Sequence, residues 1–173
     1  MDAPSLAGFP VLCTIGPASH PSHRSRTKGI SVLKGIDPLL SPELLKILAE
    51  MGHGDDITLV DSNFPAVATA RRLVRLDGIS LFDASRAILS LFPLDTFVDM
   101  PVATMQMVDT PDIIPDVQAD VFALVNEIEG RDVLVDHIER YAFYERARES
   151  FAIVATGETR PYGNVIFKKG VIA

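Results

Sequence analysis

Two kinds of hydrophobic pattern succeed each other along this 173-residue chain from Leu33 onward. In "SPELLKILAEMG", Leu44, Leu45, Leu48 and Met51 recur at helical spacing. Ser41 stands where a cap is needed, Pro42 takes the first turn, where its missing N–H is harmless, and Gly52 lies just past the end. "DITLVDS" is short and β-branched and predicts a buried strand ending at Asp61, broken afterwards at Pro65 in "NFPA". "LVRLDG" predicts a strand and turn, "SLFDASRAILSLFPL" a helix ended by Pro93, and "PVATMQMVD" another strand. Val117, Val121, Leu124, Val125 and Ile128 then repeat at helical spacing, with Gly130 closing the segment. A short strand near Val133, a helix in "RYAFYERARES", and closing strands in "FAIVATGE" and "NVIFKKGV", joined by "TRPYG", complete the series. Helices alternating with short apolar strands predict an α/β fold, a single layered domain.

The pattern fails before Val32. Residues 1–32 are crowded with Pro, Gly, Ser and His and lack either periodicity, so they read as an irregular N-terminal extension to a domain at 33–173. Asp2 precedes the first apolar stretch and Pro10 breaks it, which argues against a secretory signal. No apolar run approaches the roughly 18 residues of a membrane span. A net charge of −7 disfavours a general nucleic-acid binder, which neutralises phosphates with a basic face. The single cysteine, Cys13, allows neither an internal disulfide nor a cysteine-based zinc site, consistent with a cytoplasmic location.

Candidate chemistry begins with "MGHGDDITLVD". His53 and Asp55 follow the helix's Gly52 and would project from a loop, where functional polar groups commonly sit. Asp61 ends the next strand, and a helix–loop–strand path could bring its carboxylate near the imidazole. The bland alternative is that His53 and Asp55 merely cap the helix or bond the loop backbone. A His/carboxylate metal site gains no support from His20 and His23 in the extension or from the isolated His137, so no metal is expected. There is no nucleophile elbow, and "GNVIFKKG" lacks the glycine spacing of a phosphate loop. A second dense region runs from Arg140 and Tyr141 through Tyr144, Glu145, Arg146 and Arg148 to Tyr162, Gly163 and Asn164. Arg, Tyr and Asn offer the fixed donors and acceptors that bind neutral polyols. Taken singly, "ERAR" reads as a solvated helical face and "PYGN" as a β-turn.

Taken together, "LKGIDPLLSPELLKILAEMGHGDDITLVDSNFPA", "DGI", "FYERARESFAIVATGE" and "YGNVIFKKGV", in this order from about Leu33 to Val171, resemble the ribose pyranase and fucose mutarotase family. "GHGD", "NFPA" and Arg140 ahead of "YAFYERA" resemble its fucose branch. The resemblance implies an isomerase that interconverts forms of a free monosaccharide, L-fucose on this branch, without cofactor or metal. It also implies a homo-oligomer, with a decamer of ring-like pentamers as one such assembly. By the same resemblance His53 is the proton donor, with Tyr144 a further catalytic group. By it, too, Asp61, Arg140, Tyr162, Gly163 and Asn164 bind the sugar. As a separate mechanistic expectation, Asp55 or Asp61 orients the imidazole. The acceptor of the anomeric proton stays open among Tyr144, Tyr162 and water, and whether one site draws on two subunits stays open as well. The alternatives are a D-ribose pyranase and a sugar-binding module without turnover.

Overall fold

The structure, a computed structural model, describes residues 33–172. The extension, with Cys13, His20 and His23, lies outside the described residues. The chain runs α1 (Pro42–Glu50), β1 (Asp56–Val60), α2 (Ala66–Thr69), β2 (Leu73–Leu76), α3 (Leu81–Leu89), β3 (Val102–Met105), α4 (Asp116–Glu129), β4 (Val135–Ile138), α5 (Arg140–Glu149), β5 (Ala152–Thr156) and β6 (Val165–Lys168). The expected caps form: Ser41 accepts from Leu44 N at the start of α1, and Gly130 takes the left-handed conformation (φ 64°) that ends α4.

The six strands make one sheet in the order β2-β5-β1-β6-β3-β4. β2, β5 and β1 are mutually parallel, as are β3 and β4, while β6 runs antiparallel to both β1 and β3. The two closing strands are therefore not a hairpin, because β1 lies between them.

Alternate residues of each strand face opposite layers. Ile57, Leu59, Ala152, Val154, Val165 and Phe167 join a core with α1, α3 and α4, through side chains such as Leu44, Leu81, Ile88 and Val121. Val60, Ile153, Ala155 and Ile166 face a second core with Phe64, Ala66 and Phe143, supplied by α2, α5 and the segment between β1 and α2. Burial on both faces explains why the central strands read as unbroken apolar runs rather than as alternation. The edge strand β4 is only half-buried throughout.

Two elements depart from the expected pattern. β4 begins two residues beyond Val133, whose N–H is taken by Asn126 Oδ1 and whose side chain is buried below the strand. The turn of helix α2, entered through Pro65, has four residues and carries no periodicity from which to read it. Among the described residues, no helix is long and apolar enough to cross a membrane, and no three His, Cys, Asp or Glu side chains converge as metal ligands would.

Candidate functional site

Five strands share one direction, so their carboxyl ends gather along one edge of the sheet, the usual location of ligand sites in open α/β folds. Asp61 follows β1 there, Met105 ends β3, Arg140 opens α5 directly after β4, and Asn164 immediately precedes the antiparallel β6. With Asn63, Phe64, Tyr144, Pro161 and Tyr162 they enclose a cavity of about 230 Å³. The topology has thus brought together Asp61, Arg140, Tyr144, Tyr162 and Asn164.

Asp61 is held from both sides. Its Oδ1 accepts from Asn63 N (2.9 Å) and its Oδ2 from Asn164 Nδ2 (2.9 Å), while its own N–H donates to Asn164 Oδ1 (3.2 Å). Both side chains are buried, so neither can drift away without leaving a polar group unsatisfied. Gly163 separates Tyr162 from Asn164, and a Cβ there would stand 2.9 Å from Glu158 Cγ and 3.4 Å from Asp61 Cβ. No side chain fits between the turn and the carboxylate without displacing one of them.

Tyr162 adopts φ 62°, a left-handed conformation that costs a non-glycine residue on the order of 1–3 kcal/mol. Two contacts hold it. Gln118, buried on α4, donates from Nε2 to Tyr162 O (2.9 Å) and to Met105 O (2.8 Å), and Val108 N donates to the Tyr162 hydroxyl (3.3 Å). Arg160 ties the same loop down by pairing with the buried Glu158 (3.0 Å) and with Asp120 of α4 (2.8 Å). The Arg160 hydrogen bonds hold the Glu158 carboxyl below its ordinary range despite burial. Gln118 was not singled out in the sequence, although a lone amide beside Val117 in an apolar stripe was its available signal. Gln118→Leu removes the shared donor and leaves two buried carbonyls short of a partner, so unfolding free energy should fall by about 1–3 kcal/mol. A urea denaturation midpoint equal to that of the parent protein would show that the amide bridges nothing of value.

Arg140 supplies the cavity's positive charge. Its Nη2 donates to the Tyr141 hydroxyl (3.0 Å), while its Nε is buried and has no acceptor among the described residues. Buried donors are nearly always paired, which makes this N–H a group suited to a ligand oxygen. Tyr144, one turn along α5, lays its ring against Phe64 at 5.3 Å and Tyr141 at 6.4 Å. Beyond Phe64 lies another cavity of about 330 Å³, bordered by Ser62, Pro65, Val67, Arg75 and Thr156. Of its charged groups, Arg75 and Asp77 form a two-bond ion pair at 2.7 and 3.2 Å, while Asp61 is the carboxylate it shares with the first cavity.

His53 is not part of this cavity. It precedes β1, whereas Asp61 follows it, and the five intervening strand residues at about 3.3 Å rise each span roughly 16 Å. The expected approach of imidazole to Asp61 therefore does not occur within one chain. Nor does Asp55 support the ring: its Oδ2 accepts from Gly52 N (2.7 Å), the helix-capping alternative. The imidazole's partner is Asp95, whose Oδ1 lies 3.1 Å from Nε2, and the ring leans on Phe97 at 5.4 Å between centroids. Asp95 is buried while the imidazole is 46% exposed. Burial opposes ionisation of Asp95, but the Phe97 N–H, His53 and Lys168 together outweigh it and hold this carboxyl below its ordinary range.

Fold and site define a three-layer α/β protein with a polyol-suited pocket at the carboxyl edge of its sheet and a histidine displayed at the opposite edge. The chain belongs to the RbsD / FucU transport protein family, whose profile matches residues 34–172. It is 48% identical over 140 residues to the L-fucose mutarotase of Glaesserella parasuis, a match covering 81% of this chain and 96% of that one. Among solved structures it is similar to the fucose mutarotase of Streptococcus pneumoniae in complex with L-fucose, with TM-score 0.76, 41% identity and coverage of 82% and 100% of the two chains. It is also similar to FucU of Bifidobacterium longum, with TM-score 0.77, 39% identity and coverage of 81% and 100%.

Proposed function

We propose that this protein is an L-fucose mutarotase, an isomerase that opens and recloses the pyranose ring by acid and base catalysis. The observation that carries the reading is the cavity in which Asp61 and Asn164 lock each other in place beside the Tyr144 and Tyr162 rings and an Arg140 N–H that has no partner among the described residues. Fixed acceptors and donors around two aromatic faces suit the hydroxyls and apolar face of one sugar ring.

Mutarotation needs a proton delivered to the ring oxygen. As the C1–O bond breaks, its electron pair stays on that oxygen, and the anomeric O–H gives up its proton while its electrons form the carbonyl. Rotation about C1–C2 and the reverse steps then close the other anomer, with no net change in the enzyme. Histidine is the side chain whose unperturbed pKa suits the donor role near neutrality. Tyr144, lining the cavity, is our candidate for the anomeric proton.

Because His53 and this cavity occupy opposite edges of the sheet, we infer that a complete site pairs the His53 edge of one copy with the cavity edge of a neighbour. Exposed apolar groups at both edges support such a contact: Phe97 against His53, and Val108 and Tyr141 beside Tyr162 and Arg140 of the cavity. Two unlike edges joined head to tail generate a ring when the rotation closes, which fits a homo-oligomer of ring-like pentamers.

Saturation-transfer NMR on one enzyme sample tests the substrate. Catalysed exchange between the α and β resonances of L-fucose should far exceed that between pyranose and furanose forms of D-ribose. The reverse order would make this a ribose pyranase, and saturable L-fucose binding without exchange would make it a binding module.

A further inference from the structure

We propose that Asp95 is the positioning residue for His53: it fixes the neutral imidazole as the tautomer protonated on Nε2 and turns Nδ1 outward as the nitrogen that exchanges a proton with the sugar. The inference rests on the mutarotase reading for its catalytic consequence but not for its tautomer.

The geometry begins with a buried carboxylate. Asp95 is 2% exposed, and its Oδ1 accepts both the Phe97 N–H (2.9 Å) and the His53 Nε2 contact (3.1 Å). Its backbone is equally constrained. Asp95 N donates to Lys168 O (3.0 Å), Leu94 bridges to Lys169, and a Cβ at Gly170 would stand only 2.4 Å from Leu94 O. The end of β6 thus clamps the loop that carries the carboxylate. The Phe97 ring, two residues on, packs against the imidazole and limits its rotation.

An ionised carboxylate only accepts hydrogen bonds, so the ring nitrogen facing it must carry the hydrogen. With Nε2–H committed to Asp95, the remaining nitrogen of a neutral ring is a free base, and in the imidazolium it is the transferable acid. The charges around this pair favour ionised Asp95. Lys168 donates from Nζ to Gly54 O (3.1 Å) and pairs with Asp56 (2.8 Å), placing an ammonium beside the His53 loop. Asp55 and Asp56, the other acids of that loop, are occupied by Gly52 N and by Arg146 with Lys168. Asp95 is accordingly the carboxylate that answers the imidazole.

Two measurements test this. In the wild-type oligomer, ¹⁵N NMR of the imidazole above its titration should show His53 with hydrogen on Nε2 and a bare Nδ1; hydrogen on Nδ1 would overturn the proposal even if Asp95→Asn failed to fold. For Asp95→Asn, which keeps the shape and removes the charge, kcat for L-fucose anomer exchange should drop at least about tenfold while KM moves by less than about threefold. The kinetic limb assigned to His53 should move to lower pH, since its imidazolium loses a neighbouring negative charge. A role confined to holding the loop would change stability or KM but leave the tautomer and pH profile as they were, and that result would also overturn it. Absence of exchange in the wild-type protein would instead sink the mutarotase reading and leave the tautomer assignment standing.

Discussion

His53→Ala is expected to cut catalysed exchange of the L-fucose anomers by about 10²–10⁴-fold, the usual worth of a positioned proton donor, with the folded structure retained. The imidazole is 46% exposed and makes one hydrogen bond among the described residues, so few packing contacts are lost with it. Asp95 keeps the Phe97 N–H and the nearby Lys168 in the variant, which limits the cost of stranding a buried carboxylate. Circular dichroism and the molecular mass in solution should therefore match those of the parent protein while saturation transfer between anomers collapses. Undiminished exchange would remove His53 from the mechanism.

The same variant tests the shared site. Asn164→Ala should also be inactive, because Asp61 then loses the amide that fixes it. If one copy's His53 serves its neighbour's cavity, co-expressing the two inactive chains restores wild-type composition at about a quarter of randomly assorted head-to-tail interfaces. A site contained in one chain gives no recovery at all, since each chain then carries its own defect.

The layered fold was legible because helical spacing and unbroken apolar strands have different periods, and both sheet faces are covered. Strand order was not. β1 wedges between β5 and β6 through contacts spanning about a hundred residues of sequence, such as Asp61 with Asn164, and no local pattern encodes such pairing. Asp61, Arg140 and the Tyr162–Asn164 turn, which the fold gathers at one cavity, were named through the family resemblance, since singly each reads as a strand end, a helical face or a β-turn. The expected closeness of His53 to Asp61 was wrong for a reason already present in the sequence: five consecutive strand residues form a spacer rather than a hinge. Asp95 was invisible by contrast, since it reaches His53 from 42 residues away out of a loop with no periodic signal.

Phe143→Ala is expected to lower unfolding free energy by about 3–5 kcal/mol, a large share of the roughly 5–15 kcal/mol available to a domain. Phe143 is fully buried, meets Phe64 edge-on at 6.2 Å, and belongs to the core formed with Val60, Ile153 and Ile166. α5 depends on it unusually heavily, because Phe143 and Ala147 are the only residues of that helix that are buried. Its other ties are the partly buried Tyr144 against the same core and the Arg146 ion pairs with Asp56 (2.9 Å) and Asp136 (3.9 Å), none of which replaces a fully buried aromatic ring. The consequence reaches the site, since Arg140 and Tyr144 ride on α5 and Phe64 supports the Tyr144 ring. Weaker L-fucose binding should therefore accompany the stability loss, and Phe143→Leu, which leaves a smaller cavity, should lose less of both. A urea titration in which Phe143→Ala keeps the parent midpoint would mean that α5 is anchored by something other than this ring.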